Sequence, residues 1–184
     1  MRIRIISGNL GGRMIDTPPG RTTHPMGDRV RMALFNMIAK ELSGAVVLDA
    51  FAGTGALGFE SLSRGALRVT FVEKDRVASK ILRENATQLA VLGRAQLVQA
   101  PVASWVSTQG DGAVFDIIFA DPPYHHPQLA TVRSLSRLLK PGGVMVVSHP
   151  ENTVLETPSD TQRYDTRSYA GANLSFYRKV IHST

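Results

Sequence analysis

The chain has 184 residues, a formal net charge of +6 and no cysteine, which fits one domain able to bury a sizeable hydrophobic core. The missing thiols exclude disulfides, zinc thiolates and cysteine nucleophiles, and with the last the covalent adduct that normally begins C5-pyrimidine methylation. No apolar run reaches the ~18 residues of a membrane span and Met1–Ile6 lacks the apolar region of a secretory signal, so a cytoplasmic monomer with no membrane partner is expected.

Residues 2–6 and 10–16 are β-prone runs around Ser7-Gly8-Asn9 and Gly11-Gly12, the pattern of a short hairpin. Residues 17–25 hold too much proline for regular structure. A helix is predicted from Asp28, as N-cap, to about Leu42, with Val30, Leu34, Met37 and Ile38 at helical spacing and Gly44 as its stop. Arg29, Asn36 and Lys40 fall on the opposite face, and Arg31 flanks the stripe. The first 40 residues carry seven Lys/Arg against two Asp, a charge of +5, while the remaining residues sum to +1. That asymmetry is expected of a basic arm that meets phosphates.

From Ala45 strands and helices alternate. Strands are predicted over 45–49, 68–73, 95–99, 115–120 and 143–148, and helices over 55–64, 75–92, 102–108 and 127–140. Val77, Ile81, Leu82, Leu89 and Leu92 would line one face of the second of these helices, with Gly93 ending it. Near-continuous apolar strands alternating with helices indicate an α/β fold, a doubly wound, mostly parallel Rossmann-like sheet covered on both faces. Residues 160–180 have room for two closing strands, partly antiparallel. The division expected is a basic hairpin-and-helix extension, 1–44, followed by a cofactor-binding domain, 45–184.

The first motif is Asp49-Ala50-Phe51-Ala52-Gly53-Thr54-Gly55-Ala56-Leu57-Gly58, which closes a strand and opens a helix. Its glycines match G-x-G-x-x-G and let the backbone approach a ligand closely. Glu73, twenty residues after Gly53, ends the next strand, where a carboxylate can bind both ribose hydroxyls. These features fit a dinucleotide and S-adenosylmethionine alike. Asp49 favours the latter, because a carboxylate before the loop repels a pyrophosphate but suits an amino group and a sulfonium. Too few residues follow the sheet for a dehydrogenase's substrate domain. An acceptor for the adenine amino group is often found at the end of the third strand, and Pro101 cannot supply one, which leaves Gln99 or a backbone group for that contact. A glycine turn with Asp49 as a purely structural carboxylate is the bland alternative.

The second motif is Asp121-Pro122-Pro123-Tyr124, placed by the apolar run before it at the carboxyl end of the fourth strand. The exocyclic amine of a nucleobase is a poor nucleophile because its lone pair is delocalised into the ring. Asp121 and the Pro122 carbonyl can accept its two N–H bonds and draw the nitrogen toward sp³, with the prolines holding those acceptors in place. Tyr124 can stack on the base, a contact worth ~1–3 kcal/mol. A Pro-Pro turn with an incidental aspartate and tyrosine is the alternative here. His125-His126, with His149, have metal-ligand chemistry but read as polar loop residues, so no metal is expected; Trp105 reads as core.

Together with Arg4-Ile5-Ile6-Ser7-Gly8, Gly11-Gly12-Arg13, Asp28-Arg29-Val30-Arg31, Leu34-Phe35-Asn36, Ser63-Arg64-Gly65-Ala66, Phe71-Val72-Glu73 and the closing Tyr169 and Tyr177-Arg178-Lys179, the two motifs resemble the RsmD-type family of bacterial 16S rRNA guanine-N2 methyltransferases over nearly the whole chain. The resemblance implies S-adenosylmethionine as methyl donor. It also implies a guanine N2 amine of small-subunit rRNA, within the assembled particle, as acceptor. On that reading Asp121, Pro122 and Tyr124 are catalytic, and Asp49, Phe51, Gly53, Gly55, Glu73 and Gln99 hold the cofactor. Arg4, Arg13, Arg29 and Arg31 would contact the RNA. His24-Pro25-Met26-Gly27, Met32 and Pro101 depart from the family's usual residues. Competing readings are a DNA adenine-N6 methyltransferase, which needs a target-recognition insertion the chain lacks, and a protein glutamine methyltransferase, whose clamp opens with Asn. A non-catalytic S-adenosylmethionine-binding RNA assembly factor and a nicotinamide oxidoreductase complete the set.

Overall fold

A computed structural model describes residues 1–20, 26–112 and 114–183. Strands β1 (Arg2–Arg4) and β2 (Met14–Asp16) form an antiparallel hairpin, and helix α1 (Asp28–Met37) follows. Then come β3 (Val46–Ala50), α2 (Ala56–Ser63), β4 (Arg68–Glu73), α3 (Arg76–Gln88), β5 (Ala95–Gln99), α4 (Val102–Thr108), β6 (Phe115–Ala120), α5 (Leu129–Ser134) and β7 (Leu139–His149). Two strands close the chain, β8 (Thr161–Tyr169) and β9 (Ala172–Lys179). The main sheet runs β5-β4-β3-β6-β7-β9-β8, parallel through β7, with β9 antiparallel between β7 and β8.

The apolar strands explain the layering. Ile117, Ile118 and Phe119 are consecutive and all buried, which only a sheet covered on both faces allows. On one face Val47, Phe71 and Phe119 pack against Leu34 and Phe35 of α1, Phe59 of α2 and Leu82 of α3. On the other face Leu48, Ile118 and Met145 meet Val102 and Val106 of α4 and Val132 of α5. Ile3, Ile5 and Ile15 of the hairpin belong to the first of these clusters, so the hairpin and α1 share the core of the sheet.

Element ends differ from expectation where tertiary contacts intervene. Gly27, in an extended conformation, is the N-cap of α1, and Asp28 sits inside its first turn. The helix stops at Met37, and a single 3-10 turn, Ala39–Glu41, replaces its last turn. Helix α3 ends at Gln88, because Ala90 turns left-handed (φ 58°) and Val91 N–H closes on the Ala86 carbonyl at 3.0 Å. Its buried face is Ala78, Leu82, Asn85 and Ala86, while Val77 and Leu92 stand exposed. Helix α5 is short because Leu139 pairs with Phe115 and draws the chain into β7 four residues before the predicted strand start.

One buried carboxylate fastens the extension to the sheet. Glu60 of α2 is fully buried and accepts the backbone N–H of Ile6 at 2.8 Å and of Ser7 at 3.0 Å. It pairs with Arg64 at 2.9 Å and lies 3.8 Å from the Arg31 guanidinium. Arg31, also buried, donates to the Arg4 carbonyl at 2.5 Å and to Asp28 at 3.0 Å. A second fastening is Asn85 of α3, whose amide exchanges two 2.9 Å hydrogen bonds with the backbone of Asp16. Removing the carboxylate in Glu60→Ala strands a buried guanidinium and two backbone donors, a change that costs ~3–5 kcal/mol. Urea denaturation is expected to show a loss of that size, and a loss below about 1 kcal/mol would show that Glu60 does not fasten the extension.

Candidate active site

Three carboxylates converge on the carboxyl edge of the parallel sheet. Asp49 lies in β3 opposite Phe71 and Phe119, while Glu73 ends β4 and Asp121 follows β6, each two residues beyond those partners. Asp49 is buried, and its Oδ2 accepts the Gly58 N–H at 2.9 Å, which ties the first turn of α2 to the strand. Burial pushes its carboxyl well above the usual range; the Gly58 bond opposes this, and the charges of Asp121 and Glu73 add to it. Glu73 accepts Gly53 N–H and Asp75 N–H, each at 2.8 Å, and so ties the cofactor loop to the start of α3. No Lys or Arg pairs with any of the three among the described residues.

The loop has the geometry its glycines demand. Gly55 caps α2 with φ 82°, and a Cβ there would lie 2.5 Å from the Phe59 ring and 2.4 Å from Leu82. At Gly53 nothing lies within 4 Å of where a Cβ would be, so the backbone there faces open space. Phe51 also has positive φ, 59°, a strained conformation for a non-glycine residue, and packs against the second core cluster. Gln99 pairs with Glu73 in the register of β4 and β5 and is exposed at the same edge. An uncompensated group of carboxylates beside an open glycine backbone suits a ligand that carries positive charge and hydroxyls. The expected cofactor, with its ammonium, sulfonium and ribose, fits these residues on that ground. The same carboxylates disfavour a pyrophosphate.

Across β6 lies the clamp. Asp121 is half-buried, Pro122 buried, and Tyr124 40% exposed. Burial pushes the Asp121 carboxyl up to about 6, against a hydrogen bond from Ser148 that pulls it down. The Tyr124 hydroxyl lies 2.6 Å from the Ser148 hydroxyl. A narrow cleft beside Asp121 is lined by Ser148 and Leu174, by Leu57 of α2, and by Met26 and Leu34 from the extension. Residues far apart in sequence thus wall one site.

The arm's cations divide. Arg4 and Arg29 are exposed, with Arg4 3.7 Å from Asp28, and Arg13 donates to the Gln88 carbonyl at 2.5 Å. Arg31 corrects the expectation that it meets RNA: it is 1% exposed and its guanidinium is spent on Arg4, Asp28 and Glu60. His24 and Pro25 lie outside the described residues. His125 and His126 are exposed loop residues, and His149 is buried with its ring bonded to Ser175 and the Pro150 carbonyl; no group able to hold a metal occurs among the described residues. Trp105 is partly buried against the second core cluster, with its ring 6.4 Å from that of Phe115. Ser148, Glu60 and Asn85 have roles that the linear pattern did not reveal. Only Ser148 left a trace, as a polar residue directly after the apolar run Val144–Val147 at the ligand-facing edge.

A parallel sheet with this loop after its first strand and this clamp after its fourth defines the Rossmann-like methyltransferase class. Residues 3–178 match the family described as Conserved hypothetical protein 95. Ribosomal RNA small subunit methyltransferase D of Haemophilus influenzae is 33% identical over 162 residues, 86% of this chain and 84% of that one. Its Escherichia coli K12 namesake is 41% identical over 123 residues, 67% of this chain and 61% of that one. The solved structure of yhhF from Escherichia coli superposes with a TM-score of 0.87 at 33% identity, covering 98% of this chain and 99% of that one. The chain belongs to the Conserved hypothetical protein 95 family, and these relatives bear out the resemblance drawn from the motifs.

The raised Asp121 carboxyl has a stability consequence. Unfolded it titrates near 3.8 and folded at about 6, so the fold holds the extra proton between those values and loses stability as pH rises through about 6. Asp121→Asn removes that loss. Its thermal midpoint is expected to exceed the parent's at about pH 8, by up to about 3 kcal/mol in free energy, with the gain fading toward pH 4. Scanning calorimetry across that range checks it, and a gain independent of pH would contradict it.

Proposed function

We propose that the protein transfers a methyl group from S-adenosylmethionine to the exocyclic N2 amine of a guanine in 16S rRNA, within the assembled small ribosomal subunit. The observation that carries this reading is the half-buried Asp121 clamp, one strand away from a carboxylate-lined glycine loop and walled by the basic extension. S-adenosylmethionine, when bound, supplies a methyl group on a positively charged sulfur. The relatives named for ribosomal RNA support the substrate class.

The chain's own residues account for the rest. Asp49 balances the donor's positive charge from beneath the loop, and Glu73 accepts its ribose hydroxyls while holding Gly53 and Asp75 in place. Gln99, at the same edge, is placed to meet the adenine. Asp121 and the Pro122 carbonyl accept the two N–H bonds of the target amine, which frees its lone pair from the ring. Tyr124 offers its exposed ring as a stacking plate for a base drawn out of its helix. Once the nitrogen becomes cationic, a carboxylate that titrates at about 6 is a suitable acceptor for the proton it sheds. The transfer otherwise depends on positioning.

Methyl transfer from labelled S-adenosylmethionine to unmodified small subunits, free rRNA and duplex DNA, with the product nucleoside identified by mass spectrometry, tests the reading. N2-methylguanosine from small subunits is expected; methyladenine from DNA, or no transfer at all, overturns it. Asp121→Ala is expected to lower turnover by at least ~100-fold with cofactor affinity nearly unchanged, as measured by calorimetry. For the arm, Arg29→Ala is expected to weaken RNA binding and to reduce the slope of log K against log salt by ~1, whereas Arg31→Ala acts on folding stability and leaves that slope alone.

A further inference from the structure

We propose that Ser148 is a positioning residue of the transfer reaction, a hydroxyl that joins the Asp121 carboxylate to the Tyr124 phenol and fixes both for the target base. This inference rests on the methyl-transfer reading of the site above. The register of β6 and β7 pairs Ala120 with Val147, which brings the next residues, Asp121 and Ser148, side by side at the ligand edge. Ser148 is 4% exposed, its hydroxyl lies 2.6 Å from the Tyr124 hydroxyl, and it lines the same cleft as Asp121.

A serine hydroxyl has one proton to give and two lone pairs to receive. Either hydroxyl can donate in this bond, and Tyr124, kept a phenol because its burial and the nearby Asp121 charge outweigh the Ser148 bond and raise its pKa, has a proton to give to Ser148. Ser148 then has its own proton left for Asp121, and the chain runs Tyr124 to Ser148 to carboxylate. Two consequences follow for the site. Tyr124 is tethered at its hydroxyl while 40% of its surface stays exposed, so an otherwise mobile ring becomes a fixed plate. Asp121 receives a proton donor on one side and keeps lone pairs for the target amine. Among the described residues at this edge, Asp49 on β3 and Glu73 on β4 are both carboxyls, the exposed His125 and His126 follow Tyr124 in the same loop, and Arg31 on α1 is committed elsewhere. Ser148 is therefore the group within reach that favours the ionised clamp.

The test separates the chemistry of Ser148 from the identity of the substrate. Carbon-13 NMR of aspartate-labelled protein without substrate follows the Asp121 carboxyl, assigned by the resonance missing in Asp121→Asn. It is expected to titrate at about 6 in the parent and at about 7 in Ser148→Ala, with Ser148→Thr restoring the parent value. Turnover against pH is expected to move the same way, so that Ser148→Ala loses about threefold near pH 6.5 and recovers most of it at about pH 8. Tyr124→Phe keeps the ring but breaks the tether, and is expected to raise KM for the RNA more than it lowers kcat. An unmoved Asp121 titration in a folded Ser148→Ala protein overturns the proposal. If the titration moves but no N2-methylguanosine forms in the parent, the functional reading fails and the hydrogen-bond chain stands.

Discussion

Like charges brought together in a protein must be held there by something stronger than their repulsion, and here that is the parallel sheet. The ladder from β4 through β3 to β6 fixes Glu73, Asp49 and Asp121 at one edge. The cost is visible in Asp49 and Asp121, whose carboxyls are both pushed upward by burial, with the neighbours' charges adding to the effect at Asp49. A sheet of buried Val, Ile and Phe bears such a cost because each strand is packed on both faces. A positively charged ligand repays part of it. The same strain that destabilises the empty edge therefore favours a cationic methyl donor over a phosphate-bearing cofactor.

The hairpin and α1 extend this logic. They bring no carboxylate to the edge, but their Met26 and Leu34 wall the cleft beside Asp121. Glu60 and Asn85 keep them there with bonds to backbone atoms, which depend little on the side chains of the hairpin itself. Glu60 lies in the helix that begins at the cofactor loop, and Asn85 also approaches the Thr54 carbonyl of that loop at 3.5 Å. The extension and the loop thus share anchoring groups, through Glu60 and Asn85.

Much of this was legible in the sequence because it is local. Strand β3 with its glycine loop, strand β6 with its Asp-Pro-Pro-Tyr turn, and the alternation between them follow from apolar runs and turn residues a few positions apart. What was not legible depends on register and on long-range partners. Whether Val77 faces the core depends on where α3 meets the sheet, and helical periodicity alone favoured the wrong edge of that helix. Where α5 ends depends on Leu139 pairing with Phe115, twenty-four positions away. Ser148 acquires its role only when β7 lies beside β6. Arg31 looked like its neighbour Arg29, and only the buried Glu60 distinguishes them.

That distinction changes how the basic arm works. A count of cations over the first 40 residues treats each as equally available to phosphate, yet Arg31 is buried, Arg4 lies near Asp28, and Arg2 is paired with Asp16 at 2.9 Å. Exposed pairs like the latter two exchange easily for a phosphate, since each is worth only ~0–1 kcal/mol. A buried pair does not exchange, because breaking it leaves a charge without solvent. The charge the arm can offer to phosphates is thus smaller than its formal charge, and under the proposed function its few phosphate contacts would carry little sequence preference. Under the proposed function, selection of the target base then rests on shape, on the extension, the cleft beside Asp121 and the ring of Tyr124 that together wall the site.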